Sequence, residues 1–160
     1  MSQMIQSLLV TIDPHRGAET DELIVLKNIL TKTINRMNQQ YWEKKVTLHC
    51  EPWLTIHAPQ GALQMVVSNL LSNAWKYHQW DAAISINATS TRIKMINTTL
   101  WVNVSHIQSF WVPFWQQNTQ LWWGHGLWLW VVQSICEAYG WSVTIEWWEN
   151  DAVVATLKLF

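Results

Sequence analysis

The spacing of apolar residues predicts three helices separated by short alternating segments. The first follows Thr20, because apolar residues recur from there at helical spacing as far as Met37. Thr20 suits the N-cap, and Asp21 and Glu22 suit the positive end of the helix dipole. We therefore expect this helix to begin directly after Thr20.

The other two helices are predicted from apolar stripes at 63–77 and 126–139. Pro59 suits the first turn of the earlier helix, where a missing N–H costs nothing. Gly140 suits the end of the later helix, where the left-handed conformation is common. A shorter stripe at 1–12 is typical of the end of a further helix.

Short alternating or apolar runs predict three pairs of strands between and after the helices. They cover 46–50, 53–56, 83–88, 92–97, 142–146 and 153–159. Paired strands between helices predict an α+β two-layer sandwich, with a mixed, mostly antiparallel sheet and about three helices on one face. Residues 98–123 show no period, and so long a connection is typical of a lid or binding loop.

Composition indicates one folded domain and excludes several classes of protein. Of the 160 residues, 49% are hydrophobic and 13% are charged, and the net charge is −1. Because no basic stripe exists, no nucleic-acid partner is expected. No apolar run is long enough to span a membrane and no signal-peptide pattern begins the chain, which predicts a soluble domain. Cys50 and Cys136 lack metal-binding spacing and are expected to be buried free thiols.

Polar residues at helical spacing within 63–77 are the first candidates for a binding site. Asn69, Asn73 and Tyr77 share one helix face, with Lys76 one step round. An unpaired buried amide costs about 1–3 kcal/mol, so these amides must bond to backbone or to a ligand. Amide oxygens suit Mg²⁺, while the ammonium suits phosphate and the ring suits a base. Two interpretations stay open, namely amides that cap nearby loops and a nucleotide site.

Two other stretches fit the same site. Gly124, His125, Gly126 and Leu127 form a turn that directly precedes the third predicted helix. Its glycines let the backbone approach a polyphosphate, and the helix N-terminus supplies free N–H groups. Asn97, at the end of a strand, can both donate to and accept from the edge of adenine. Taken singly, each stretch is better explained as an ordinary turn.

In their order along the chain, these motifs resemble those of bacterial sensor histidine kinases. NLLSNAWKYH at 69–78 resembles the N box of that family, and GHGLWL at 124–129 resembles its glycine box, GxGLGL. IKMIN at 93–97 is similar to the strand carrying its adenine-binding residue, and SFWVPFW at 109–115 is similar to a motif of its ATP lid. MSQMIQSLL at the start resembles the end of its dimerisation helix. The segment after Trp130 resembles the end of its catalytic domain.

The resemblance implies a Bergerat-type α/β sandwich that binds ATP–Mg²⁺ and transfers the γ-phosphoryl group to a histidine. It implies that Asn73 ligates Mg²⁺ and that Asn69 lies near the γ-phosphate. Lys76 would pair with phosphate, Tyr77 would pack near the base or ribose, and Asn97 would bind the adenine amino group. The four residues of the glycine turn would bind the phosphates. Asn69 and Lys76 would thus be the catalytic residues.

The resemblance also implies a domain division and partners. Residues 1–14 would be the tail of a dimerisation helix, and 15–160 the catalytic domain with its lid at 98–123. The expected partners are the protein's own phosphoacceptor helix and a response regulator. The chain would be a cytoplasmic part of an inner-membrane receptor and would not itself touch the membrane. None of the six histidines is followed by the acidic residue and proline that mark the family's acceptor. We therefore expect the acceptor to lie outside this chain.

Several positions depart from the family's pattern and leave a second function open. Asn97 stands where an aspartate is usual, and Thr99, Trp128 and Ala152 stand where glycines are usual. The chain also has 14 tryptophans, twelve of them from Trp75 onward. Because aromatic residues dominate interface hot spots, the alternative is a degenerate, non-catalytic interaction module with a Trp-rich docking lid.

Overall fold

The computed structural model describes residues 20–79, 82–99, 128–148 and 151–160. Within these ranges the chain forms three helices and seven strands. The helices are α1 (Leu26–Gln40), α2 (Gln60–Tyr77) and α3 (Trp128–Tyr139). The strands are β1 (Glu22–Val25), β2 (Val46–His49), β3 (Thr55–Ala58), β4 (Ile84–Ala88), β5 (Arg92–Thr98), β6 (Ser142–Trp148) and β7 (Ala152–Lys158).

Five strands form the main sheet, in the order β2-β4-β5-β7-β6. β2 runs parallel to β4, and the other neighbouring strands are antiparallel. Ile84 and Ile86 of β4 lie on the same buried face as Ile93 and Met95 of β5, while the residues between them are partly exposed. Such alternation shows that one face of the sheet carries the core. The predicted α+β sandwich with a mixed, mostly antiparallel sheet is confirmed.

Helix α2 lies between α1 and α3 in the helical layer and packs on β5. Its inner side chains are almost fully buried, among them Leu63, Val66, Val67 and Leu71. These positions recur at the spacing of one helix face, as the sequence predicts. The polar residues of α2 are therefore held on a helix that the core fixes firmly in place.

The helix predicted to begin after Thr20 begins at Leu26, so the prediction is wrong for the first turn. The preceding residues form β1, which pairs antiparallel with β3 in a separate two-stranded sheet. Ile24 lies opposite Ile56 in this pair, and both side chains are buried. A β-branched residue that packs across a sheet favours a strand, and this long-range contact outweighs the local capping signal.

Several element ends agree with the turn chemistry of the sequence. Thr89 N–H donates to the Arg92 carbonyl at 2.9 Å, which closes the predicted hairpin. Gly140 has a φ of 71° and ends α3 as predicted.

The expectation of two buried thiols is half right, because Cys136 is buried but Cys50 is partly exposed at the end of β2. Among the described residues, no helix is long and apolar enough to cross a membrane.

Candidate functional site

The two amides of α2 lie at the border of the core and remain available to a ligand. Asn69 Nδ2 donates to the carbonyl of Met65 at 2.8 Å, within its own helix. Its Oδ1 atom accepts no hydrogen bond among the described residues, and the Asn73 amide makes none there either. Both residues are partly exposed. Neither amide caps a loop within the part of the chain that the structure describes, and both interpretations of these amides stay open.

Lys76 and Tyr77 continue this face toward the end of α2. Desolvation lowers the pKa of the Lys76 ammonium, although the residue as a whole is exposed, and the nearby Tyr41 partly offsets this effect. Tyr77 is partly buried, and burial raises the pKa of its phenol. The structure therefore places an amine and a neutral aromatic side chain beside the amides.

Asn97 reaches the same end of the fold from the sheet. It is buried on the face of β5 that also carries Ile93 and Met95, which the helices cover. The Gln79 N–H donates to the Thr98 carbonyl at 2.9 Å and so ties the end of β5 to the residues after α2. The Asn97 amide makes no hydrogen bond with the described residues. The end of β5 that carries Asn97 therefore lies beside the end of α2 that carries Tyr77, with Asn73 one turn earlier in that helix.

His78 joins the end of α2 to the end of β5, although the sequence indicates only a polar turn at this position. Its Nε2 lies 2.6 Å from the Ala82 carbonyl, and its Nδ1 lies 3.3 Å from the Thr98 N–H. A carbonyl can only accept and an N–H can only donate, so Nε2 carries the proton and Nδ1 accepts. Both contacts are therefore satisfied by the neutral imidazole. Desolvation lowers the pKa of His78, and the nearby Lys44 lowers it further.

Lys44 also contacts the residue that ends α2. Its Nζ donates to the His78 carbonyl at 3.4 Å, and the lysine is buried. Desolvation lowers the pKa of Lys44. The chain before β2 is thereby attached to the end of α2, and no motif in the sequence indicates this contact.

Comparisons with known proteins identify the fold. No family model and no curated protein matches the sequence. A mycobacterial sensor histidine kinase, MprB, is 13% identical with a TM-score of 0.70, over 87% of this chain and 96% of that chain. The nucleotide-free catalytic domain of the histidine kinase ThkA is 19% identical with a TM-score of 0.71, over 86% and 93%. Full-length ShkA in complex with AMPPNP is 18% identical with a TM-score of 0.75, over 98% of this chain and 35% of that chain.

The chain has the histidine kinase catalytic fold. The Bergerat-type sandwich expected from the motifs is thereby confirmed, and α2 is the helix that carries the N-box-like sequence. At these identities the likeness establishes the fold alone, so the roles of individual residues rest on this chain's own geometry.

Thr99 and Ala152, two of the positions where the sequence resemblance leads us to expect glycine, lie near each other. Thr99 is fully buried, and its N–H donates to the Asp151 carbonyl at 2.8 Å. Ala152 pairs with Thr98 in the ladder between β5 and β7. Both substitutions are thus accommodated at the end of β5, immediately after Asn97.

The part of the predicted site that α2 and β5 do not supply lies outside the described residues. It comprises the glycine turn at 124–127 and nearly all of the lid predicted at 98–123. Trp128 is the first described residue after this turn, and α3 runs from it to Tyr139. That the turn and α2 line one pocket stays a prediction. Among the described residues no three histidine, cysteine or acidic side chains cluster as metal ligands.

Proposed function

We propose that this chain is the ATP–Mg²⁺-binding catalytic domain of a two-component sensor histidine kinase. The observation that carries the proposal is that the side-chain amides of Asn73 on α2 and Asn97 on β5 make no hydrogen bond with the described residues, in a fold that joins the ends of these two elements. The γ-phosphoryl group would be transferred to a histidine on a dimerisation helix. The ATP analogue named in the ShkA complex supports a nucleotide as the ligand of this fold.

The residues present fit a magnesium nucleotide. Mg²⁺ prefers hard oxygen ligands and keeps several waters, and the Asn73 amide oxygen is such a ligand. The free Oδ1 of Asn69 faces the same side of α2 and would orient a water near the γ-phosphate. Mg²⁺, when bound, offsets the charge of the β- and γ-phosphates.

Each of the remaining predicted residues would contact a different part of the nucleotide. Lys76 would place its ammonium against the phosphates, whose negative charge would oppose the desolvation that lowers its pKa. Tyr77 would pack against the base or ribose. The Asn97 amide would bind the adenine amino group with its oxygen and, unlike an aspartate, would add an N–H donor for a ring nitrogen.

The glycine turn would supply the opposite wall. Gly124, His125, Gly126 and Leu127 would offer backbone N–H groups to the phosphates at the start of α3. A response regulator, a separate phosphoacceptor helix and a cytoplasmic location belong to the same proposal. In such catalysis the protein contributes mainly positioning and charge neutralisation, so the geometry of α2 matters more than any single reactive side chain.

A fluorescence titration with an ATP analogue and Mg²⁺ tests this function, because the sequence of the predicted lid at 98–123 is rich in tryptophan. Wild-type protein should bind, and Asn73→Ala should weaken binding by about tenfold or more, as expected for a lost metal ligand. Asn35→Ala is the matched control, since Asn35 is exposed on α1. Absence of binding at millimolar nucleotide would rule the function out.

Absence of binding would favour the second candidate, a non-catalytic interaction module. The fully buried Thr99, in a position where the family carries glycine, is the observation that favours it, because the added side chain occupies space beside Asn97. The Trp-rich lid that would form the docking surface lies outside the described residues. Nucleotide binding that Asn73→Ala abolishes would exclude this alternative.

A further inference from the structure

We propose that the outer edge of β6 binds an extended peptide, and that an arginine side chain of this peptide enters a cleft between β6 and α3. The partner is a protein that presents such a segment as an added strand. The cleft is lined by the second half of α3, whereas the glycine turn precedes this helix. The inference therefore does not depend on the proposed nucleotide site.

β6 is the last strand of the main sheet. It pairs with β7 from Ser142 to Trp148, and no other strand pairs with it in the part of the chain that the structure describes. Within that part, the backbone N–H and C=O groups along its other edge are not bonded to a strand. Such a row of backbone groups is a template on which a further strand can pair.

The sequence of β6 lacks the features that usually protect an edge strand. Exposed edges are commonly protected by lysine, proline or a bulge. The seven residues SVTIEWW contain neither lysine nor proline, and their register with β7 is continuous. Valine, threonine and isoleucine at the start of the strand favour extended backbone. The one charged residue, Glu146, is exposed. β6 is thus a long, regular edge that is well suited to pairing.

The face of β6 toward the helices is only partly covered. Val143 lies opposite Leu157 and Ile145 lies opposite Ala155, so both belong to the sheet face that carries the core. Leu157 is fully buried, whereas Val143 and Ile145 are half-buried. An apolar margin therefore remains accessible at the edge. A strand added there would cover this margin, and the burial would add to the backbone hydrogen bonds.

A cleft of about 260 Å³ lies beside this margin, where α3 meets the start of β6. Its walls are formed by Gln133, Cys136 and Glu137 of α3, and by Trp141, Ser142 and Val143. Pockets for small-molecule ligands commonly have about 300–1,000 Å³. The cleft is therefore suited to one side chain of a bound peptide, which would give the added strand its specificity.

The walls of the cleft favour arginine. Trp141 stacks on Tyr139 with 5.4 Å between ring centroids, which holds in place an aromatic side chain that suits a planar guanidinium. Glu137 is exposed at the rim, and its Oε1 accepts from Gln133 Nε2 at 3.2 Å. Neither α3 nor β6 contains a lysine or arginine. The carboxylate can thus pair with a guanidinium without a like charge from these two elements.

A titration with synthetic peptides tests the inference. The probe is a capped peptide of seven residues, the length of β6, in which threonine alternates with valine and arginine takes the central valine position. In one matched peptide citrulline replaces arginine, which removes the charge and keeps the shape. In another, alternate backbone nitrogens are methylated, which prevents strand pairing. We expect a dissociation constant below about 1 mM for the arginine peptide, about three- to fivefold weaker binding of the citrulline peptide, and no binding of the methylated peptide.

Glu137→Gln tests whether the arginine enters the cleft. This variant should bind the arginine peptide as weakly as the citrulline peptide, and its affinity for the citrulline peptide should equal that of wild type, because the two charges act as a pair. Glu146→Gln is the matched control, since Glu146 is exposed on β6 at a position that alternates with the core-facing Ile145. It should leave both affinities unchanged. Equal affinity of wild type and Glu137→Gln for the arginine peptide overturns the inference.

Amide hydrogen exchange locates the bound peptide on the chain. Exchange of the N–H groups of β6 should slow in the complex, while exchange in β4, at the interior of the sheet, should stay the same. Binding without slower exchange in β6 overturns the inference, as does equal binding of the methylated peptide or no binding of the arginine peptide at millimolar concentration. Sedimentation equilibrium tests the competing occupant, a second copy of this chain. A dimer that the arginine peptide does not dissociate would overturn the inference in favour of that copy.

Discussion

His78 accepts a hydrogen bond from the backbone N–H of Thr98 through Nδ1, at 3.3 Å, and so joins the end of α2 to the end of β5. Tyr77 and Asn97 are the sequence neighbours of these two residues. The bond therefore fixes the end of α2 relative to the strand that carries Asn97, the residue proposed to bind adenine. His78 is 5% exposed, so water does not replace this contact at low cost.

Protonation of His78 should loosen this junction. A charged imidazole carries a proton on Nδ1, which would face the Thr98 N–H instead of accepting from it. Because the folded pKa is lowered by desolvation and by Lys44, the unfolded state binds this proton more readily. This contribution to stability is complete above the ordinary imidazole pKa of about 6.5 and is lost as the pH falls through the folded pKa.

Urea unfolding between about pH 7.5 and pH 5 measures this dependence. His78→Gln, which has no titrating ring, should be less stable than wild type at the higher pH, and its stability should fall less steeply with acid. His57→Gln is the control, since His57 is exposed on β3. Equal slopes for wild type and His78→Gln would contradict the role assigned to the imidazole.

Removal of the Asn97 amide should weaken adenine nucleotides specifically. Asn97→Leu has a similar volume but cannot bond the adenine amino group, so we expect a loss of about 1–3 kcal/mol in ATP binding. Stability should change little, because the amide makes no hydrogen bond with the described residues that the substitution would break. Asn87→Leu, on the other face of β4, should leave ATP affinity unchanged. Equal ATP affinity in wild type and Asn97→Leu would remove Asn97 from the site.

The two glycines at described helix ends should respond to alanine with opposite signs. Gly140 has a φ of 71°, and a Cβ added there would meet open space, so Gly140→Ala should destabilise the fold by about 1 kcal/mol through backbone strain alone. Gly61 lies in the first turn of α2, where alanine is preferred, and Gly61→Ala should stabilise by up to about 1 kcal/mol. Chemical denaturation of both variants measures the difference. A stable Gly140→Ala would contradict the left-handed helix end.

The two cysteines should differ in reactivity toward thiol reagents. Burial raises the pKa of Cys136 to about 12, and it also raises the pKa of Cys50, but the Cys50 side chain is partly exposed. The thiolate is the reactive form, and the reagent must be able to reach it. Cys50 should therefore react in the folded protein, and both cysteines should react in denaturant. Cys50→Ser should abolish the faster reaction, and rapid labelling of that variant would show that Cys136 is accessible.

The sequence predicts those parts of the site that local spacing determines. The amide face of α2 follows from polar residues one turn apart beside an apolar stripe, and the structure keeps that face as predicted. Thr20 and Glu22 resemble a helix cap and so predict a helical turn where β1 lies, because the pairing of Ile24 with Ile56 is a contact between distant residues. Local propensity contains no information about such a partner.

The contacts of His78 and Tyr41 could not be predicted from the sequence for the same reason. The bond from Thr98 to His78 spans 20 residues, and the contact between Tyr41 and Ser72 spans 31. Neither residue repeats a pattern, so each looks like an ordinary residue of a turn or a helix end. Only the packing of α1, α2 and β5 brings these residues to their partners.

Calorimetric titration of wild-type protein with a nonhydrolysable ATP analogue, in Mg²⁺ and then in EDTA, tests the central claim most directly. The claim is that the amide face of α2 holds a magnesium nucleotide. The account predicts binding in Mg²⁺ that weakens by about tenfold or more in EDTA, and Asn73→Ala that binds equally weakly in both. Magnesium-independent binding, or an Asn73→Ala variant as tight as wild type, would contradict it.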